Sequence, residues 1–144
     1  MISRRNRILC AGLLACNLLF IWGNSLLPAS VSGALSQWLR DLLSGAAGES
    51  GGQSDGLLRK IAHFGEFCTL GILLRCHLAV VKKKTSAAWG LVAACGCLAA
   101  CVDEMLQHFS AGRAPRLTDV AIDSAGVLVG IALVHLGYTR KKRK

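Results

Sequence analysis

No serine or cysteine in this chain occupies a recognisable nucleophile motif, and no glycine-rich loop is placed to cradle phosphates. These absences leave the hydrolase and nucleotide-binding classes that such motifs identify without support. An internal repeat of the kind that builds many transporters is also missing. Acidic residues are few: eight Asp and Glu against 17 Lys and Arg give a net charge of +9. In a soluble protein a basic tail such as residues 140–144 points to nucleic acid. Here the basic clusters lie beside apolar runs, where orientation in a bilayer and contact with anionic headgroups account for them. No nucleic-acid partner is expected.

What the chain has in excess is apolar length. Its hydrophobic fraction of 53% and mean hydropathy of +0.47 are too high for an ordinary soluble domain. The excess is concentrated in residues 8–27, 61–81, 87–106 and 120–138. Each run approaches the roughly 20 residues that a helix needs to cross about 30 Å of hydrocarbon. The sequence therefore predicts a single all-α membrane domain over residues 1–144 with four transmembrane helices, its first partner being the lipid bilayer. Arg4, Arg5 and Arg7 before the first run resemble a secretory signal, but the run is too long for a typical signal core and reads as a retained helix.

Basic residues at Arg4 to Arg7, Lys82 to Lys84 and 140–144 flank alternate junctions, and cytoplasmic loops are the ones enriched in Lys and Arg. Both termini are thus expected in the cytoplasm, which puts all eight acidic residues in outer loops or outer halves of helices. Between the first two runs, Leu35, Trp38, Leu39, Leu42 and Leu43 recur at helical spacing and read as an interfacial amphipathic helix. Residues 44–56 are Gly/Ser-rich and read as a flexible outer loop. Gly112 and Pro115 suit a turn between the last two runs. All seven cysteines lie within apolar runs and read as small packing residues. Cys95, Cys97 and Cys101 lack zinc-site spacing, so no metal and no cofactor are expected.

Carboxylates inside the two runs that flank residues 107–118 carry the most information, because ionisable groups at membrane depth are costly and usually functional. Residues 119, 123, 126 and 130 fall on one helical stripe, which sets Asp119 and Asp123 above a Gly126-x-x-x-Gly130 packing face. In the preceding run Gly96-x-x-x-Ala100 leads up to Asp103, which shares a face with Gln107, while Glu104 pairs with His108 one strip over. Lys60 and His63 enter on one side of the second run, with Glu66 beside His63. Arg113, with its planar fork, can bridge these carboxylates or grip an incoming phosphate or carboxylate through two bonds.

Two readings of this cluster stay open. In one, Lys60, Arg113 and Arg116 neutralise Glu66, Asp103, Asp119 and Asp123 and tie the helices together. In the other, Lys60, His63, Glu66, Asp103, Glu104, Gln107, Arg113, Asp119 and Asp123 form a functional polar site. Replacing buried ion pairs by apolar groups is often neutral or stabilising, so stability alone is a poor reason for so many charges. A histidine side chain has an unperturbed pKa near neutrality, so His63, oriented by Glu66, can serve as a general acid or base, although a histidine at a helix entrance is also an ordinary hydrogen-bonding residue.

The segments Arg59-Lys60-x-x-His63-Phe64-x-Glu66 and Asp103-Glu104-x-x-Gln107, followed by Arg113, Asp119, Asp123, Gly126 and Gly130, closely resemble the VanZ-like family of multi-span bacterial membrane proteins. The end of the first run, from Phe20 through Asn24 and Ser25 to Pro28, fits the same pattern. Phe67 departs from it, standing where relatives typically present a tyrosine. The resemblance implies a multi-pass protein of the bacterial cytoplasmic membrane linked to glycopeptide, specifically teicoplanin, resistance. It leaves three functions: a protein whose outer cluster binds an anionic envelope component or glycopeptide; an intramembrane enzyme acting on a lipid-linked or phosphorylated envelope intermediate such as a cell-wall precursor; and a helical scaffold for another membrane protein. No catalytic residue is assigned, and the sequence identifies no protein partner.

Overall fold

Five helices make up most of the protein: α1 (Arg4–Ser25), α2 (Ala29–Ser44), α3 (Ser54–Val80), α4 (Ser86–Gln107) and α5 (Leu117–Lys141). The structure, a computed structural model, describes residues 4–44, 54–80 and 86–141. No strand occurs among them. The two prolines fall between helices, Pro28 between α1 and α2 and Pro115 between α4 and α5, where a missing amide N–H breaks no helical hydrogen bond.

Exposure is inverted relative to a water-soluble fold. Leu19 is 70% exposed and Leu98 64%, while Asp103 is 0% and Asp123 2% exposed. Apolar side chains outside and carboxylates inside are what a helix bundle in hydrocarbon requires, since lipid accepts the leucines and the neighbouring helices must satisfy the polar groups. This is a membrane protein. Among the described residues, three helices are long and apolar enough to cross a membrane: α1, α4 over Ala88–Gln107 and α5 over Leu117–Tyr138.

The expected fourth span is corrected by α3. It forms as a long helix, but it is not among the helices apolar enough to cross by composition. The reason is its polar content: Arg59, Lys60, His63, Glu66, Arg75 and His77 interrupt the leucines. Several of these are covered by neighbouring helices. Asn24 of α1 donates to Glu66, Lys60 pairs with Asp119 of α5, and the Arg75 guanidinium stacks 4.1 Å from the Trp89 ring of α4. The helix also begins at Ser54, inside the stretch expected to be loop.

Side-chain contacts fix the directions of the helices. Trp22 reaches the Ala99 carbonyl, so α1 and α4 run the same way, and the Asn24–Glu66 and His63–Asp103 contacts set α3 against both. Lys60 opposite Asp119 places α3 and α5 parallel, with α4 returning between them. The α3·α5 interface is the most extensive in the bundle, and glycine makes it so close. A Cβ on Gly126 would lie 2.6 Å from the Phe64 carbonyl oxygen, and Cβ atoms on Gly130 and Gly71 would run into the backbone of Cys68 and Val127. Gly96 of α4 in turn accommodates the Val127 side chain, and Ala100 is fully buried beside it. Around these contacts Ile21, Phe67, Leu70 and Val127 form the apolar core.

The helix expected around residues 31–43 is present as α2, with Trp38 61% exposed. It starts where Pro28 accepts hydrogen bonds from the Val31 and Ser32 amides, and the Ala29 amide donates to Ala111 of the α4–α5 connection. Of the expected flexible loop at 44–56, residues 45–53 lie outside the described residues, as does the turn at Lys82 to Lys84. The cysteines are not core residues: Cys16, Cys95 and Cys101 are exposed and the other four half-buried.

Substituting Gly130→Ala should lower stability by about 1–3 kcal/mol, because the added methyl meets backbone that cannot move aside cheaply. Gly137→Ala, where nothing lies within 4 Å, should be neutral or slightly stabilising. Thermal unfolding in detergent distinguishes the two, and equal stability of both variants would remove glycine packing as the determinant of the α3–α5 interface.

Candidate functional site

The polar residues gather at the end of the bundle where α1 and α4 finish and α3 and α5 begin. The register set by the glycine contacts brings His63 of α3 toward Asp123 of α5, one turn before Gly126, while Asp103 arrives from the last turns of α4. His63 Nδ1 lies 3.8 Å from Asp103 Oδ2 and 3.9 Å from Glu66 Oε2. One donor atom from each of His63, Asp103 and Asp123 lies within 4.8 Å of the other two, and all three residues are buried.

Asp103 and Glu66 are held by neutral donors. Gln107 Nε2 donates to Asp103 Oδ2 at 3.0 Å, as the four-residue spacing predicts, and the Ser25 hydroxyl faces the same carboxylate. Asn24 Nδ2 donates to Glu66 Oε1 at 3.2 Å. Glu104 is bound by the Arg116 backbone amide, which corrects the expected Glu104–His108 pairing. His108 instead is exposed and packs edge-on against Phe109. Its own helix ends at Gln107, so the i to i+4 geometry no longer applies there.

The web of salt bridges that one of the two readings required is mostly absent among the described residues. Lys60 meets Asp119 at 3.5 Å, near the surface. Arg116 contributes its backbone to Glu104 rather than its charge to an ion pair. Arg113 is the surprise: Nε and both terminal nitrogens are buried without a hydrogen-bond partner. Burial, then the charge of Arg59, lowers its guanidinium from its ordinary range, opposed by Asp103, Glu104 and Glu66. Arginine still stays a cation. The loop that carries it is held by a turn at Ser110, whose carbonyl accepts from the Arg113 amide, and by the Ser110 hydroxyl donating to the Ser25 carbonyl at 2.8 Å. Gly112 turns the chain at φ 77°, a left-handed conformation that glycine adopts without strain.

A pocket of ≈ 10 Å³ opens beside the cluster, lined by Arg59, Lys60, His63, Gln107, Asp119, Ile122 and Asp123. It has room for a group the size of one water molecule. The nine residues expected to form the site therefore share one end of the bundle, with Asp119 and Lys60 at its edge and Asp103 and Asp123 at its centre. Ser110 gained a role only in the structure and gave no signal in the sequence; Asn24, Ser25 and Arg59 lie within the motif segments, but their contacts were not foreseen.

The VanZ/LLP1 family model matches residues 9–138 of the chain. No curated protein and no solved structure matches it.

Gln107→Leu should cost about 1.5–3 kcal/mol of stability, because it strips a hydrogen bond from a fully buried carboxylate. Thr118→Ala, which removes an exposed contact to Asp119, should cost under about 0.5 kcal/mol. Chemical denaturation of the two variants side by side checks the contrast.

Proposed function

The chain belongs to the VanZ/LLP1 family, and on that premise we propose that it is a multi-pass protein of the bacterial cytoplasmic membrane whose polar cluster binds an anionic envelope component or a glycopeptide. Through that binding it affects glycopeptide, specifically teicoplanin, susceptibility. The observation that carries this reading is Arg113. A buried guanidinium with no hydrogen-bond partner is costly, and the oxygens of a phosphate or carboxylate are the groups that satisfy its fork in pairs. Arg59 and Lys60 at the neighbouring pocket add positive charge that draws such a ligand in.

On this reading the cluster end of the bundle faces outward and the end bearing Arg4, Arg7 and Arg140 faces the cytoplasm, in line with the positive-inside rule. A second reading, an intramembrane enzyme acting on a lipid-linked or phosphorylated intermediate, is favoured by one observation. His63 Nδ1 stands between two carboxylates at 3.8 and 3.9 Å, an arrangement suited to moving a proton.

Arg113→Lys keeps the charge and loses the fork, so it should reduce any protection against teicoplanin to near the level of a deletion strain while leaving detergent-extracted stability close to wild type. Glu66→Gln and Asp123→Asn test charge at nearly constant shape, and Arg140→Ala at the opposite end should behave as wild type. Susceptibility, membrane abundance and thermal stability are measured together. Wild-type susceptibility in all three cluster variants would refute the site, and losses that merely track lost stability would make the charges structural. Accumulation of one lipid-linked precursor in the deletion strain would select the enzyme reading.

A further inference from the structure

His63, Asp103 and Asp123 come from three different helices, and each is more than nine-tenths buried, at 8%, 0% and 2% exposure. His63 Nδ1 and Asp103 Oδ1 have no hydrogen-bond partner. Among the described residues, the lysine–carboxylate pair at this end, Lys60 with Asp119, involves neither aspartate of the trio, and the Arg113 guanidinium donates no hydrogen bond to them. Two ionised carboxylates buried at one end of a membrane bundle with no bound counter-charge are expensive. We propose that His63, Asp103 and Asp123 form a binding site for one divalent cation of the Mn²⁺ or Zn²⁺ class. The proposal stands on this geometry and does not depend on the anion-binding reading.

The dimensions fit such an ion. Donors around a tetrahedral metal at 2.0–2.2 Å lie roughly 3.4 Å apart, and His63 Nδ1 to Asp103 Oδ2 is already 3.8 Å. The full set, within 4.8 Å, needs only side-chain rotation to close. An imidazole with two carboxylates suits a first-row divalent ion better than calcium or magnesium, which prefer oxygen ligands throughout. Two charges on the ion offset the two carboxylates and leave the site neutral. Gln107 fixes the Asp103 carboxylate from outside the trio, as partners of metal ligands commonly do. The adjoining ≈ 10 Å³ pocket, which His63 and Asp123 both line, leaves space for the water that completes a three-ligand site.

The test is an electron paramagnetic resonance titration with Mn²⁺ on chelator-stripped, full-length protein in detergent. Manganese is the probe because it is paramagnetic and favours carboxylate oxygen over the seven thiols. One saturable Mn²⁺ per chain is expected, with a rise in unfolding temperature on binding. Affinity should fall at least tenfold in His63→Gln and Asp123→Asn and stay unchanged in His108→Ala, an exposed histidine away from the trio. If Asp123→Asn does not fold, Asp123→Glu keeps a donor and should bind with altered affinity. Absence of a single saturable site in the wild type, or equal binding in the His63 and Asp123 variants, overturns the proposal. Teicoplanin susceptibility plays no part in this readout, so failure of the anion reading would leave it intact.

Discussion

Close approach of α3 and α5 is the constraint on which the rest of the structure depends. Without side chains at Gly71, Gly126 and Gly130 the two backbones come into contact, and between helices in lipid such packing replaces the hydrophobic drive that water would supply. The contact also sets a register. Gly126 against Phe64 and Gly130 against Cys68 leave the preceding turn of each helix aligned, which is where His63 and Asp123 stand. A slide of one turn, about 5.4 Å, would separate the histidine from that carboxylate. Packing and chemistry are therefore coupled through three residues that have no side chain.

Much of this was legible in the sequence, and the reasons are specific. Helical stripes placed Asp119, Asp123, Gly126 and Gly130 on one face of α5, and the four-residue rule gave the Gln107–Asp103 hydrogen bond, because both depend only on spacing within a single helix. Contacts between helices were harder. Asn24 against Glu66 spans 42 residues and Ser110 against Ser25 spans 85, and no periodicity within one segment encodes such a partner. The Glu104–His108 pairing failed because it assumed helix beyond Gln107, where the chain has already turned toward Gly112.

The count of four spanning helices failed because residues 61–81 were weighed by their leucines, while α3 also carries Arg59, Lys60, His63, Glu66, Arg75 and His77 and is not apolar enough to cross by composition. Hydropathy weighs each residue by its transfer from water to lipid, but the polar side chains of α3 meet Asn24, Asp119 and Trp89 rather than lipid. A helix enclosed by others carries polar residues that a lone helix could not, so its composition drops below what α1, α4 and α5 show.

The distribution of partners within the cluster separates an inner layer from an outer one. Deep in the bundle, Glu66 and Asp103 are oriented by the side-chain amides of Asn24 and Gln107, neutral donors that fix a carboxylate without cancelling its charge. Nearer the surface, Lys60 is paired with Asp119 while the Arg113 fork is left without an acceptor. A cluster built for stability alone would bring the arginine into contact with the acids, since a charge-assisted bidentate pair is the strongest interaction those groups can make. Here Ser110 and Gly112 hold the loop in a turn that keeps the guanidinium out of hydrogen-bonding contact with them. That separation leaves the buried acids without a guanidinium partner and the guanidinium, next to the connecting loop, without an acceptor.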